Sequence, residues 1–370
     1  MSARSRRRSS TVRYRSALMG SPWSAHPPSC RFCPTARHAA STMQRKGGPR
    51  LLITDREGAL YLERARVHVE GGRIVYTITD DENAREFNVP HVNLAVLFLG
   101  QGTSITQEAM RLLGEEHVHL AVTGTGGTPM HMGALTTYTA TGHFRRLLPI
   151  YRDPALSLKA AIAVMNHRTL RMTTIGGQIA ARELRARQID GLKAAGAKFE
   201  IALKGCRDVA QLLGYEGEYS KACYREFGGM VGLKSFRRNA GAGPSDEERI
   251  DDPEAICIAL ANRLIDHGNY LCYGMSGAAL WALGIPPHMS IFHGKTRAGG
   301  LVFDLADSFK DALVLPLAFA VATGRKSDDP EKQFRARLIE IFDDYKILAK
   351  AVDTVEAMLL AGEGKSATVD

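Results

Sequence analysis

Residues 155–172 read Ala-Leu-Ser-Leu-Lys-Ala-Ala-Ile-Ala-Val-Met-Asn-His-Arg-Thr-Leu-Arg-Met. Apolar side chains recur there at three- and four-residue spacing, the pattern of an amphipathic helix. Everything before Pro154 is patterned differently. Upstream, apolar residues come in short runs bounded by glycine; downstream, they come in long Ala- and Leu-rich stretches. Strands first and helices afterwards predict an α+β fold, with an N-terminal β-rich domain followed by an all-helical C-terminal domain.

Downstream, residues 179–192, 209–230, 253–283, 301–322 and 334–360 show the same helical spacing. Breaks fall at Gly176-Gly177, Gly241-Ala-Gly-Pro244, Gly284-Ile-Pro-Pro287 and Ser327-Asp-Asp-Pro330. Upstream, residues 59–69 partly alternate, Gly71-Gly72 follows, and residues 73–79 resume a β-rich run, which predicts a hairpin. Residues 92–99 and 117–122 are further strand candidates. Between them, Ser104-Ile-Thr-Gln107 has capping-box spacing and leads into an amphipathic helix over 105–113. The predicted organisation is therefore a tail over 1–48, a β-rich domain over 50–138, a linker over 139–153 and a helical domain over 154–370.

The formal charge of +9 is unevenly placed. Residues 1–48 hold nine Arg and one Lys but no Asp or Glu, so the remainder is close to neutral. An Arg-, Ser- and Pro-rich segment without periodicity reads as a disordered basic tail. It lacks the apolar core of a secretory signal. Met43 is a candidate true start, which would make residues 1–42 an over-extended reading frame. Cys30-Arg-Phe-Cys33, with His26 and His38, is a weak zinc-knuckle candidate. The six cysteines are too scattered for a disulfide framework, which fits a reducing, cytoplasmic setting. No apolar run approaches membrane-spanning length.

The cluster Gly124-Thr-Gly-Gly127 does not complete a dinucleotide fingerprint, because Pro129 stands where the third glycine belongs. No phosphate-loop motif occurs anywhere in the chain. Three other segments hold residues suited to chemistry. Glu216 lies in Gly214-Tyr-Glu-Gly-Glu-Tyr-Ser-Lys-Ala-Cys-Tyr224, within a predicted helix. Phe292-His-Gly-Lys-Thr-Arg-Ala-Gly-Gly300 combines His293 with Lys295, Arg297 and glycines, the make-up of a loop that meets phosphates. Asp304 and Asp307 stand three residues apart, on one face if the segment is helical. Glu, His and Asp from three segments can form a metal site. The oxygens suit Mg²⁺ or Mn²⁺, and the imidazole favours Mn²⁺. Each segment read by itself is equally well explained as a solvated helix face, a connecting loop and an acidic first turn.

Together these segments resemble the CRISPR-associated integrase of spacer acquisition. Residues 292–307 resemble the family's His-Gly-Lys…Asp-x-x-Asp signature. Glu216-Gly217, with Tyr224 eight residues after the Glu, resembles the helix with the catalytic Glu. His267-Gly-Asn-Tyr-Leu-Cys-Tyr-Gly274 and Leu99-Gly-Gln-Gly-Thr-Ser-Ile-Thr106 resemble subtype F of the type I systems. The likeness runs in order from about Leu51 to Gly362. It implies a β-rich dimerisation domain before an α-helical catalytic domain. It implies Glu216, His293 and Asp307 as catalytic metal ligands for Mg²⁺ or Mn²⁺, Asp304 as a supporting acid, and Lys295 and Arg297 as DNA contacts.

The implied reaction is transesterification by the 3′-hydroxyl of a captured DNA fragment on a repeat-edge phosphodiester. The implied partners are double-stranded DNA (prespacer and CRISPR repeat), a second copy of the chain, and a small ferredoxin-like adaptation protein fused to a helicase-nuclease. Alternatives are a non-catalytic DNA-binding scaffold, a branched-DNA nuclease and a small-phosphoester hydrolase. Ser308 departs from the family pattern, where an apolar residue usually follows the second Asp. A hydrogen bond back to the Asp304 carbonyl would make it harmless.

Overall fold

The computed structural model describes residues 58–80, 83–123, 130–132, 141–240, 252–294, 300–324 and 328–365. The cysteine pair near the N-terminus, the glycine cluster at 124–127, and Lys295 and Arg297 lie outside these residues.

Arg64 adopts a left-handed conformation at φ 50° and turns the chain between β1 (Gly58–Leu62) and β2 (Ala65–Glu70). The run expected as one strand over 59–69 is thus two strands, and they enter different sheets. Gly71 and Gly72, at φ 55° and 75°, close the expected hairpin from β2 into β3 (Arg73–Asp80), pairing Glu70 with Arg73. Positive φ at both central residues is the requirement of the tight hairpin turn whose twist matches its strands.

β4 (Asn83–Asn88) adds antiparallel to β3. Its polar sequence gave no strand signal, because residues 84–88 are all exposed at a sheet edge. β5 (Leu94–Leu99) follows, then β6 (Ser104–Ile105), α1 (Gln107–Glu115), β7 (His119–Val122) and β8 (Met130–Met132). Thr106 caps α1, its Oγ1 accepting from the Ala109 amide at 3.3 Å, so the cap sits two residues beyond the expected Ser104.

One sheet has the order β1-β5-β7-β8, with β1, β5 and β7 parallel and β8 antiparallel to β7. The other has the order β4-β3-β2-β6, antiparallel except where β6 joins β2. β5 explains why both faces of the first sheet are covered. All six of its residues, Leu-Ala-Val-Leu-Phe-Leu, are buried. Leu94, Leu97 and Leu99 join a core with the second sheet and α1. Ala95, Val96 and Phe98 join the larger core of the helices. A continuous apolar strand is what a two-faced position requires.

The helices are α2 (Gly142–Arg152), α3 (Pro154–Arg171), α4 (Gly177–Glu183), α5 (Asp190–Lys204), α6 (Val209–Met230), α7 (Pro253–Ala282), α8 (Gly300–Ala306), α9 (Lys310–Thr323), α10 (Pro330–Asp344) and α11 (Ile347–Gly362). A π-helical turn, Met172–Gly176, joins α3 to α4. Asp153, Asp208, Asp252 and Asp329 cap α3, α6, α7 and α10 through side-chain carboxylates. The stretch expected as a linker is largely α2. Its Arg146 bonds Glu356 and Glu363 of the α11 end at 2.8 and 2.6 Å.

Three predicted helices are each two. The 179–192 run stops because Arg185, at φ 55°, forms a left-handed cap in which the Ala186 amide reaches the Ala180 carbonyl. Lys346, at φ 51°, separates α10 from α11. The 301–322 run breaks at Asp307-Ser308-Phe309, so Asp304 lies inside α8 while Asp307 lies in the turn that follows. The Asp307 amide still donates to the Phe303 carbonyl at 3.0 Å, so both acids keep to one side, as their spacing predicts. None of these breaks contains Gly or Pro at the bend, which is why spacing alone passed over them.

No described helix is long and apolar enough to cross a membrane.

Candidate functional site

The loop ahead of α8 is organised by Asp304, whose side chain is fully buried. Its Oδ2 accepts from the Ser290 hydroxyl at 3.0 Å and the amides of Ile291 at 2.5 Å and Phe292 at 3.3 Å. Its Oδ1 accepts from the His293 amide at 3.1 Å and lies 2.8 Å from His293 Nδ1. A buried carboxylate is costly unless donors surround it. Five donors do so here, and the loop is wrapped onto α8 as a result. Gly294, at φ 57°, ends the wrap, its amide donating to Ser290 Oγ at 2.8 Å. Gly300 opens α8 so close to the loop that a Cβ there would meet Ser290 Cβ at 2.4 Å.

This anchoring aims the imidazole. With Nδ1–H donated to Asp304, His293 turns Nε2 toward Asp307 Oδ2, 3.4 Å away. A carboxylate behind a histidine is the usual means of fixing the tautomer whose second nitrogen can bind a metal.

Asp307 is 1% exposed. Its Oδ1 is paired with the Lys310 ammonium, and its Oδ2 has no hydrogen-bond partner. The orphaned atom is a buried carboxylate oxygen, an acceptor that a cation would satisfy.

Ser308 does not bond the Asp304 carbonyl. Its hydroxyl donates to the Leu305 carbonyl at 2.7 Å and accepts from Arg171 Nη1 at 2.7 Å. Arg171 also donates to the Lys350 carbonyl of α11 at 2.6 Å. The departure from the expected apolar residue is thus a tie that holds the Asp307 turn to α3 and α11.

Glu216 is carried by α6 and is not a solvated surface residue; its side chain is 19% exposed. Its Oε1 accepts from Arg168 Nη1 at 2.5 Å and from Ser220 Oγ at 2.9 Å. Burial by itself raises the carboxyl pKa, but the Arg168 guanidinium overrides it, and with Lys310 and Ser220 holds the group down to about 2. Lys310 therefore acts on both Glu216 and Asp307.

Arg168 is 2% exposed and reaches Glu216, Ser220 and Asp311, crossing the face of Tyr219 at 5.5 Å from the ring centroid. Sequence reading assigned no role to Arg168, Ser220, Lys310 or Asp311. Ser220 stands four residues after Glu216 and Lys310 three after Asp307, helical spacings that pointed to them. Arg168 had no such signal, since an Arg in an amphipathic helix reads as solvent-facing.

The site brings His293, Asp304 and Asp307 together, with Glu216 joined through the charge of Lys310. Among the described residues, one trio of His and acids has ligand atoms within 4.8 Å of one another, and it is elsewhere: His68, Glu70 and Glu86 on the second sheet. Its hydrogen bond to Glu70 raises the Glu86 pKa. Glu216, His293 and Asp307 are thus not drawn to that spacing, because Glu216 is turned to Arg168.

The family model for CRISPR associated protein Cas1 matches residues 60–342. The chain is 32% identical over 319 residues to the CRISPR-associated endonuclease Cas1 of Pectobacterium atrosepticum, covering 83% of this chain and 93% of that protein. The chain belongs to the Cas1 family.

A second Cas1 endonuclease, from Pseudomonas aeruginosa, is 32% identical over 320 residues, covering 83% of this chain and 94% of its own length. Among solved structures, a Cas1 protein from Thermotoga maritima has the same fold at 13% identity, with a TM-score of 0.63 over 85% of this chain and 99% of that one. TtCas1 in complex with DNA matches with a TM-score of 0.58 and 25% identity, over 82% of this chain and 91% of that chain. The strand-rich start and helical remainder expected from the sequence are those of the Cas1 fold.

Proposed function

We propose that this Cas1 chain is a metal-dependent DNA endonuclease and integrase that inserts captured DNA fragments into a CRISPR array. The observation that supports it most directly is the buried, unpartnered Oδ2 of Asp307 beside His293 Nε2. Glu216, His293 and Asp307 are the ligands for Mg²⁺ or Mn²⁺. The bound ion would polarise a phosphodiester and help expose a hydroxyl nucleophile.

The reaction exchanges one P–O bond for another. The 3′-oxygen of the captured fragment bonds to the phosphorus at the repeat edge, and the 3′-oxygen of the cut strand leaves and takes up a proton. No covalent bond to the protein forms. Asp304 keeps the His293 ring in one orientation and keeps the proton on Nδ1. Arg168 holds Glu216 ionised, so that it meets the ion as a carboxylate. Lys295 and Arg297 bind DNA phosphates from the same loop.

The DNA complex of TtCas1 supports DNA as the substrate class, and double-stranded DNA is the form proposed here. Dimerisation through the strand-rich domain over 50–138, catalysis in the helical part over 154–370, and docking on a small ferredoxin-like partner fused to a helicase-nuclease complete the proposal. Membership of subtype F rests on the stretch at 292–307 and on the motifs at 99–106 and 267–274.

The test is strand transfer of a short duplex with 3′-hydroxyl ends into a supercoiled plasmid bearing a CRISPR array. Wild type is compared with Glu216→Ala, His293→Ala and Asp307→Ala in Mn²⁺, Mg²⁺ and chelator. We expect metal-dependent joining, lost at least a hundredfold in each variant while DNA binding persists. Joining at wild-type rates by all three variants would overturn the site. DNA binding in chelator with no joining in either metal would make the chain a scaffold.

A further inference from the structure

Two cations face the acids of this site, and they are held very differently. Arg168 is enclosed, with Glu216, Ser220 and Asp311 all bonded to its guanidinium. Lys310 stands at the first turn of α9, with its side chain 14% exposed. Its ammonium pairs with one oxygen of Asp307, and its charge also lowers the Glu216 pKa. It is thus the positive charge shared by two of the three acid and imidazole groups proposed to hold a divalent ion.

A divalent ion on those groups would stand beside that ammonium. Like charges in a site this enclosed repel strongly. Arg168 cannot yield, because both of its terminal nitrogens are bonded to side chains packed around it and its own side chain is only 2% exposed. A lysine can, being a point charge on a flexible four-carbon stem.

We propose that Lys310 is the exchangeable counter-charge of the site. Its ammonium neutralises Asp307 and Glu216 in the metal-free protein, and it leaves Asp307 when Mg²⁺ or Mn²⁺ enters. The proposal rests on the metal-site reading above. By linkage, the ammonium and the ion then oppose each other on Asp307, and each weakens the other's hold by the same factor.

The experiment is calorimetric titration of Mn²⁺ into wild type, Lys310→Met and Lys310→Arg, with melting temperatures in chelator and in saturating Mn²⁺. In parallel, reductive methylation of Lys310 in the wild type is followed by mass spectrometry with and without Mn²⁺. Lys310→Met should bind Mn²⁺ about tenfold tighter and show the larger Mn²⁺-induced rise in Tm. Lys310→Arg, which keeps the charge, should bind no tighter than wild type. Labelling of Lys310 in the wild type should rise when Mn²⁺ is added, and this decides the matter if Lys310→Met does not fold. Equal Mn²⁺ affinity in wild type and Lys310→Met, or labelling that does not rise, overturns the proposal alone. No Mn²⁺ binding in any of the proteins removes the metal-site reading itself.

Discussion

His293 presents Nδ1 to the Asp304 carboxylate at 2.8 Å, and that carboxylate is sealed from solvent. The relationship divides labour between the two signature acids. Asp304 shapes the loop and orients the ring; Asp307, in the turn beyond α8, keeps an oxygen for a cation. Asp304→Ala removes the acceptor for the Ile291, Phe292 and His293 amides at once. It should cost about 2–4 kcal/mol by thermal or urea unfolding. Asp304→Asn should cost less but still lower strand transfer about 10–100-fold, the usual penalty for losing a carboxylate behind a ligand histidine. Wild-type transfer by Asp304→Asn would show that the ring does not need that carboxylate.

Arg168 is the second support. Arg168→Met leaves Glu216 and Asp311 without their shared cation inside the helical core. The expected loss is about 3–5 kcal/mol, since breaking a buried pair strands a charge. Adding Glu216→Gln and Asp311→Asn to Arg168→Met should recover at least half of it in urea denaturation. A triple variant no more stable than Arg168→Met would mean that Arg168 contributes by packing rather than by charge.

Acid should destabilise the protein before its carboxylates titrate. Burial, reinforced by Arg335, depresses the His267 pKa to about 4. Burial, with Arg171 beside it, does the same for His167. Both rings are therefore neutral in the fold. A folded-state pKa below the unfolded value contributes stability that is complete above about pH 6.5 and is lost as pH falls toward 4. The double variant His167→Gln/His267→Gln should flatten the dependence of Tm on pH across that window, removing a change of up to about 3 kcal/mol per ring. A slope identical to wild type would assign the acid sensitivity to other groups. Glu216, depressed to about 2, adds a loss in the same direction below about pH 4.5.

The seam between sheet and helices gives a fourth expectation. A Cβ on Gly274 of α7 would meet Phe98 Cε1 of β5 at 2.1 Å. Gly274→Ala should destabilise by about 1–3 kcal/mol through overpacking. Phe98→Leu in the same chain should relieve part of that cost, so the two changes should be non-additive in a double-mutant cycle.

The order of strands and helices was legible because the apolar period changes near Pro154, and α6 runs between the ends its spacing predicts. Three of the missed breaks share one physical cause. Arg64, Arg185 and Lys346 take left-handed conformations without being glycine, so the turns they make left no mark in the composition. The strand β4 was missed because an exposed edge needs no apolar face. At the candidate site, the acids and His293 were visible as a spaced motif. Arg168 was not, since its burial is decided by partners from α6 and α9 that meet only in the folded chain.

Three of the five donors around Asp304 are main-chain amides. Those amides are present whatever side chains follow them. Ile291 and Phe292 can therefore drift to other apolar residues of similar volume without loosening the grip on the loop. The informational burden of that shape falls on a single carboxylate. Homologous chains can thus diverge around the histidine while inheriting its pose intact.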